Sequence, residues 1–153
     1  MQVYRTMEEA VDAGTVNRLG ISNSYDLRFF REIYENARHK PQVLQNRFHK
    51  QSNWDQELRK FCDDKGIWYQ SFWTLTANRE ALHNRHVHEW ADSKNLTPQT
   101  LMYAYLMSLG YATPLDGTTN PEHMAQDIAV MQRIQNEHLQ EDVERIFETG
   151  HDL

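Results

Sequence analysis

Short apolar runs alternate along this chain with longer segments whose apolar positions recur every three or four residues. Met7-Glu8-Glu9-Ala10-Val11-Asp12-Ala13 has helix-forming composition and meets Gly14, a residue suited to the left-handed turn after a helix. Leu19-Gly20-Ile21-Ser22 predicts a short buried strand. Asp26 is placed to cap a helix in which Leu27, Phe30, Tyr34 and Ala37 form one stripe, widened by Phe29 and Ile33 and stopped by Pro41. Residues 43–48 predict a second strand. Ser52 and Asp55 have the spacing of a weak capping box, opening a helix through Leu58, Phe61 and Cys62 that ends before Gly66.

Residues 67–72 predict a third strand, followed by short helices near 79–82 and 87–93. Thr97-Pro98 is a cap followed by proline at the first helical position, and this helix runs to Leu109 and stops at Gly110. Residues 111–115 predict a fourth strand, weakened by Pro114, which cannot donate to a ladder. Asn120-Pro121 opens a further helix, and residues 139–147 predict a last amphipathic one. Strand and helix alternate four times, which predicts parallel strands joined by right-handed crossovers. A doubly wound sheet and part of a β/α barrel both fit this order.

Composition narrows the function classes. The chain has 153 residues, enough for one domain of ordinary size. A hydrophobic fraction of 39% with 11% aromatic residues favours a polar-surfaced but folded chain over a disordered one. Sixteen basic against 22 acidic residues, with no basic cluster, argue against nucleic acid as a partner. No apolar run is long enough to span a bilayer, and Met1-Gln2-Val3-Tyr4-Arg5 lacks the apolar stretch of a signal peptide. A lone cysteine, Cys62, suits a reducing compartment, so a cytoplasmic protein is expected. His83, His86 and His88 have the look of a metal cluster, but His86 and His88 are two apart and would diverge on a helix. Asn95-Leu96-Thr97 matches a glycosylation acceptor followed by Pro98, and reads better as a solvated loop.

The wording at the strand ends carries more. Leu19-Gly20-Ile21-Ser22-Asn23, Gln45-Asn46-Arg47-Phe48, Tyr69-Gln70-Ser71-Phe72-Trp73-Thr74-Leu75 and Gly117-Thr118-Thr119-Asn120-Pro121-Glu122 occur in this order, with Glu57-Leu58-Arg59-Lys60-Phe61-Cys62 and Gly66-Ile67 between them. Together these segments resemble strands five to eight of the aldo-keto reductases, NAD(P)H-dependent enzymes built on a (β/α)₈ barrel. The resemblance covers nearly the whole chain and weakens after about Met131. It implies an α/β fold: half of a TIM barrel, about four parallel strands with helices on the outer side, and residues 1–153 as a single partial domain.

It also implies a site. Active sites of such barrels lie at the C-terminal ends of the strands. By resemblance, Ser22, Asn23 and Gln45 hold the carboxamide of a nicotinamide, and Phe72 stacks on its ring. Trp73 replaces a common serine and narrows or reshapes the pyrophosphate side, where Leu75 belongs to the same motif. Gly117, Thr118, Thr119, His123, Gln126 and Asp127 fall on the adenosine-phosphate side. Gly117 stands where many NADPH-specific members have Lys, His123 replaces a common Arg, and Gln126 with Asp127 replaces a frequent Glu-Asn pair. Losing two fixed positive charges puts selectivity for NADP(H) over NAD(H) in doubt. Thr118-Thr119-Asn120-Pro121 would be a good helix cap in either case.

The family reduces aldehydes and ketones with a Tyr, a Lys, an Asp and a His on its first four strands, and none of these motifs is found here. Tyr25, Tyr69 and Tyr103 do not match the tyrosine motif. The expectation is a truncated chain that binds the dinucleotide weakly, is inactive alone, and takes a carbonyl substrate only if the barrel is completed. Four strands with two bare edges should self-associate or take up an N-terminal half. The rival expectation is a non-enzymatic half-barrel that serves assembly or binds a partner or a nucleotide.

Overall fold

A computed structural model describes residues 2–134; the helix expected at 139–147 lies outside the described residues. Four strands, β1 (Gly20–Ser22), β2 (Val43–Arg47), β3 (Trp68–Phe72) and β4 (Ala112–Pro114), form one sheet in the order β1-β2-β3-β4, every pair parallel. Each strand lies beside its predecessor. A doubly wound sheet would reverse its order at a switch point, so the choice left open by periodicity falls to the half-barrel. Pro114 sits on a strand with a single neighbour among the described residues, where its missing N–H is tolerated.

Helices cover one face of the sheet. Leu44, Tyr69 and Ala112 point into a core with Phe30, Phe48, Leu58, Phe61 and Leu106, all buried. Full burial of each of the large side chains contributes roughly 1.5–3 kcal/mol. The alternate residues on the other face, Val43, Gln45, Arg47, Gln70 and Phe72, are only half-buried, and Trp68 is exposed. This is the face that lines the interior when such a sheet is closed.

The helices follow local chemistry closely. α2 (Leu27–Asn36) is capped by Asp26, whose carboxylate accepts from Arg28 and Phe29 N–H. It ends before Pro41, at Ala37, which donates to the Ile33 carbonyl. α3 (Gln56–Lys65) ends at Gly66, which is left-handed with φ of 65°. α4 (Arg79–Leu82) and α5 (Arg85–Ser93) fill the long connection, preceded by a 3₁₀ turn at Thr76–Asn78. α6 (Pro98–Ser108) opens with a full Thr97–Thr100 capping box, and α7 (Pro121–Ile134) closes the described chain.

Two expectations are corrected. α1 (Gln2–Asp12) begins five residues before the predicted start. Its inward stripe is Tyr4, Met7, Glu8 and Val11, and the buried carboxylate in the middle hides the apolar period. Glu8 is satisfied by the N–H groups of Arg38 and His39 and by Arg5. The Ser52–Asp55 capping box does not form. Residues Lys50–Asp55 make a 3₁₀ turn instead, with Asn53, Trp54 and Asp55 all at φ near +50°. Asp55 turns inward, so its carboxylate is spent on the core rather than on the first turn of α3.

Candidate functional site

The parallel register sets a row of polar side chains across the inner face. Ser22 pairs with Gln45, Gln45 with Gln70, and Gln70 with Thr113. Paired positions in a sheet project to the same side, so side-chain hydrogen bonds can run between strands. Gln45 Nε2 donates to Gln70 Oε1 at 3.0 Å, and Ser22 Oγ donates to the Gln45 carbonyl at 2.9 Å. Gly20 makes this approach possible: a Cβ there would lie 3.0 Å from both the Cβ and the carbonyl oxygen of Val43.

Asn23 leaves the strand in the left-handed region, φ 59°, which asparagine tolerates better than most residues. Its N–H still reaches the Gln45 carbonyl at 3.0 Å, and its Nδ2 donates to Ser22 Oγ at 3.0 Å. Tyr25 Oη donates to Asn23 Oδ1 at 3.4 Å and accepts from the Arg47 N–H at 3.1 Å. Ser22, Asn23 and Gln45 therefore share one hydrogen-bonded cluster. The structure adds Gln70, which sequence reasoning missed; the signal was its position one strand over at the level of Gln45.

Phe72 and Arg47 pair in the next row toward the C-terminal rim of the same face. Phe72 meets Trp73 edge-on, with centroids 6.4 Å apart, and the Arg47 guanidinium carbon lies 4.5 Å from the centre of the Trp73 ring. Trp73 is itself left-handed, φ 53°, and 58% exposed. Leu75 turns away and packs against the main core.

Behind the sheet a buried polar network holds this rim. Asn46 Oδ1 accepts from the Ser24 N–H, and its Nδ2 donates to the Ser24 carbonyl and to Asp55 Oδ2. Tyr69 Oη donates to the same Asp55 oxygen at 3.0 Å. Burial raises the Asp55 carboxyl above its ordinary range despite these donors, and burial beside Asp55 raises the Tyr69 phenol as well. Cys62, buried nearby, is pushed up to about 12 by its burial and is an inert thiol.

The adenosine-side residues lie after β4 and on α7. Asp116 accepts from the Thr118 N–H at 3.0 Å and from Tyr103 Oη at 3.3 Å; Asn120 takes the Glu122 N–H at 2.9 Å and so caps α7. Gly117, Thr119, His123 and Gln126 are exposed. Gln126 and Asp127, neighbours in sequence, line different grooves: Gln126 one with Thr100, Val130 and Arg133, Asp127 another with Tyr103, Met107 and Ile128. A step of one residue on a helix turns through about 100°, which separates them. Asp127 is raised above the usual carboxylate range by burial and by Asp116, against the opposing effect of His123.

His83 Nδ1 lies 2.6 Å from the Arg79 carbonyl, and His86 faces Glu89. Among the described residues no three metal-ligating side chains converge, and no helix is long and apolar enough to cross a membrane. Thr97 of the Asn-Leu-Thr tripeptide is the N-cap of α6.

No family model matches the sequence. An uncharacterized oxidoreductase of Schizosaccharomyces pombe is 28% identical over 128 residues, covering 83% of this chain and 44% of that protein. Aldose reductase from Giardia lamblia superposes with a TM-score of 0.75 at 20% identity, over 97% of this chain and 49% of that one. An aldo/keto reductase from Brucella melitensis gives 0.76 at 13% identity, over 96% and 53%. A Gox0644 mutant in complex with NADPH gives 0.77 at 21% identity, over 95% and 51%. The chain thus spans about half the length of the proteins it matches. The fold resemblance read from the strand ends holds: four parallel strands with outer helices, half of an aldo-keto-reductase-type barrel.

Proposed function

We propose that this chain is the cofactor-facing half of an aldo-keto reductase and binds a nicotinamide dinucleotide at the C-terminal rim of its sheet. The observation that carries this reading is the shared cluster of Ser22, Asn23 and Gln45 on the inner face, with Phe72 one row above on the same face. A nicotinamide carboxamide has donor and acceptor atoms on one end, and a serine hydroxyl with two side-chain amides can match both. Phe72 offers the ring face on which the nicotinamide would stack. In the family the dinucleotide supplies the hydride for carbonyl reduction. No segment of the chain matches the motifs that carry the family's proton donor and its activating lysine; on this reading carbonyl reduction needs residues from elsewhere, and the chain alone is inactive.

On the adenosine side, Thr118 and the start of α7 would take a phosphate. Asp116 and Asp127 add negative charge where Gly117 and His123 already lack the usual Lys and Arg. A 2′-phosphate is disfavoured there, and NAD(H) should bind at least as well as NADP(H). The lone buried Cys62 fits a reducing, cytoplasmic setting.

A second reading, a half-barrel retained for assembly, draws support from the exposed apolar surface beside β4. Met124, Ile128 and Met131 stand out on α7 and line a groove of about 290 Å³ with Tyr103 and Met107.

Titration of the chain with NADH and NADPH, followed by quenching of tryptophan emission, separates these readings. The cofactor reading expects saturable quenching by both, with NADH at least as tight. No quenching by either at millimolar concentration would leave the assembly reading. Carbonyl reduction by the chain alone would contradict its expected inactivity.

A further inference from the structure

We propose that Arg47 is an oxyanion-binding residue at the rim of the inner face. Of the strand residues on that face (Ser22, Val43, Gln45, Arg47, Trp68, Gln70, Phe72 and Thr113 among them), Arg47 alone carries a charge. Its Nε is buried and has no hydrogen-bond partner. No carboxylate pairs with it among the described residues. The contrast with Arg59 is direct: that buried arginine donates its Nε to the Trp54 carbonyl at 2.8 Å. A guanidinium N–H removed from water without an acceptor is costly to keep.

Arg47 is nevertheless held in place. Its backbone N–H donates to Tyr25 Oη, and its guanidinium lies over the Trp73 ring at 4.5 Å. A cation–π contact engages the face of the guanidinium and leaves its in-plane N–H donors for another ligand. Those donors match two oxygens of a phosphate or carboxylate. Its register partner Phe72 and the Gln45–Gln70 pair one row below are neutral. Two sources could deliver such an oxyanion: the pyrophosphate of the dinucleotide, which rests on the cofactor reading above, or the carboxylate of a 2-oxo acid.

The test uses the full chain and its Arg47→Met and Arg47→Lys variants, titrated calorimetrically with NADH, reduced nicotinamide riboside, inorganic pyrophosphate and pyruvate. Methionine keeps an apolar stem against Trp73, and lysine keeps the charge but not the fork, so lysine decides if the methionine variant fails to fold by circular dichroism. The expected result is weaker binding of NADH and pyrophosphate by about tenfold to a hundredfold in Arg47→Met, a smaller loss in Arg47→Lys, and no change for the phosphate-free riboside. Loss confined to pyruvate would assign the oxyanion to a substrate carboxylate and keep the proposal. Wild-type affinity of the variants for all three anions, or no binding of any of them by the wild type, would overturn it. If NADH and the riboside fail to bind while pyrophosphate binding depends on Arg47, the cofactor reading falls and the assignment of Arg47 stands.

Discussion

Asn46 holds the backbone of Ser24 from both sides: its Oδ1 accepts from the Ser24 N–H at 3.0 Å, and its Nδ2 donates to the Ser24 carbonyl at 2.7 Å. The same amide is braced by Asp55. Through Ser24 it fixes the left-handed turn at Asn23, so a side chain on the helix-covered face of β2 shapes a cluster on the opposite face.

Asn46→Ala should therefore destabilise the chain by about 1–3 kcal/mol, because it leaves buried backbone groups of Ser24 without partners. Ser24→Ala should be neutral or slightly stabilising, since the Ser24 hydroxyl is buried and makes no hydrogen bond. Urea unfolding of the two variants checks the pair. Equal losses would mean that the turn is not held through Asn46.

Gly20→Ala places a methyl against the backbone and Cβ of Val43, neither of which can rotate away. The expected loss is roughly 1–3 kcal/mol, as for overpacking in general. Because β1 must move off β2, Ser22 moves from Gln45, and dinucleotide affinity should fall with stability. Unfolding and titration of the same variant test both, and unchanged stability would show that β1 relaxes without strain.

Two buried carboxylates should give opposite pH dependences. Burial raises the Glu8 carboxyl, but the His39 N–H, Arg5 and the Arg38 N–H outweigh it, and its folded value is lowered. Its contribution is present above the ordinary glutamate range and is lost as pH falls through the folded value. Asp55 is raised by burial, so its contribution is full below the ordinary aspartate range and is lost as pH rises through its folded value. Stability measured across acidic to neutral pH should show Glu8→Gln costing most near neutrality and least in acid. Asp55→Asn should show the reverse trend. The same slope in both variants would contradict one of these environments.

β1 and β4 each have one strand partner among the described residues, and the inner face leaves Trp68 43% exposed. Unpaired edges and an exposed tryptophan on an uncovered face favour association. Sedimentation at increasing concentration should show self-association, or heteroassociation when a segment supplying further barrel strands is added. A well-behaved monomer at all concentrations, indifferent to such a segment, would refute this.

Most elements are legible from local chemistry, because caps and stops act within a few residues. Asp26, Thr97-Pro98, Gly66 and Gly110 mark helix ends that the structure keeps. Strand-end wording was also enough to select the barrel resemblance and to single out Ser22, Asn23, Gln45 and Phe72. Three features were decided only by tertiary structure. Strand order distinguishes a half-barrel from a doubly wound sheet, and it depends on contacts between segments more than twenty residues apart. Asp55 abandons a local capping role because Asn46 and Tyr69, on the two neighbouring strands, offer it buried donors. Gln70 and Arg47 acquire their meaning from register alone, since only pairing across strands sets one beside Gln45 and the other beside Phe72. Local chemistry fixes where the chain turns; which side chains meet is fixed by packing.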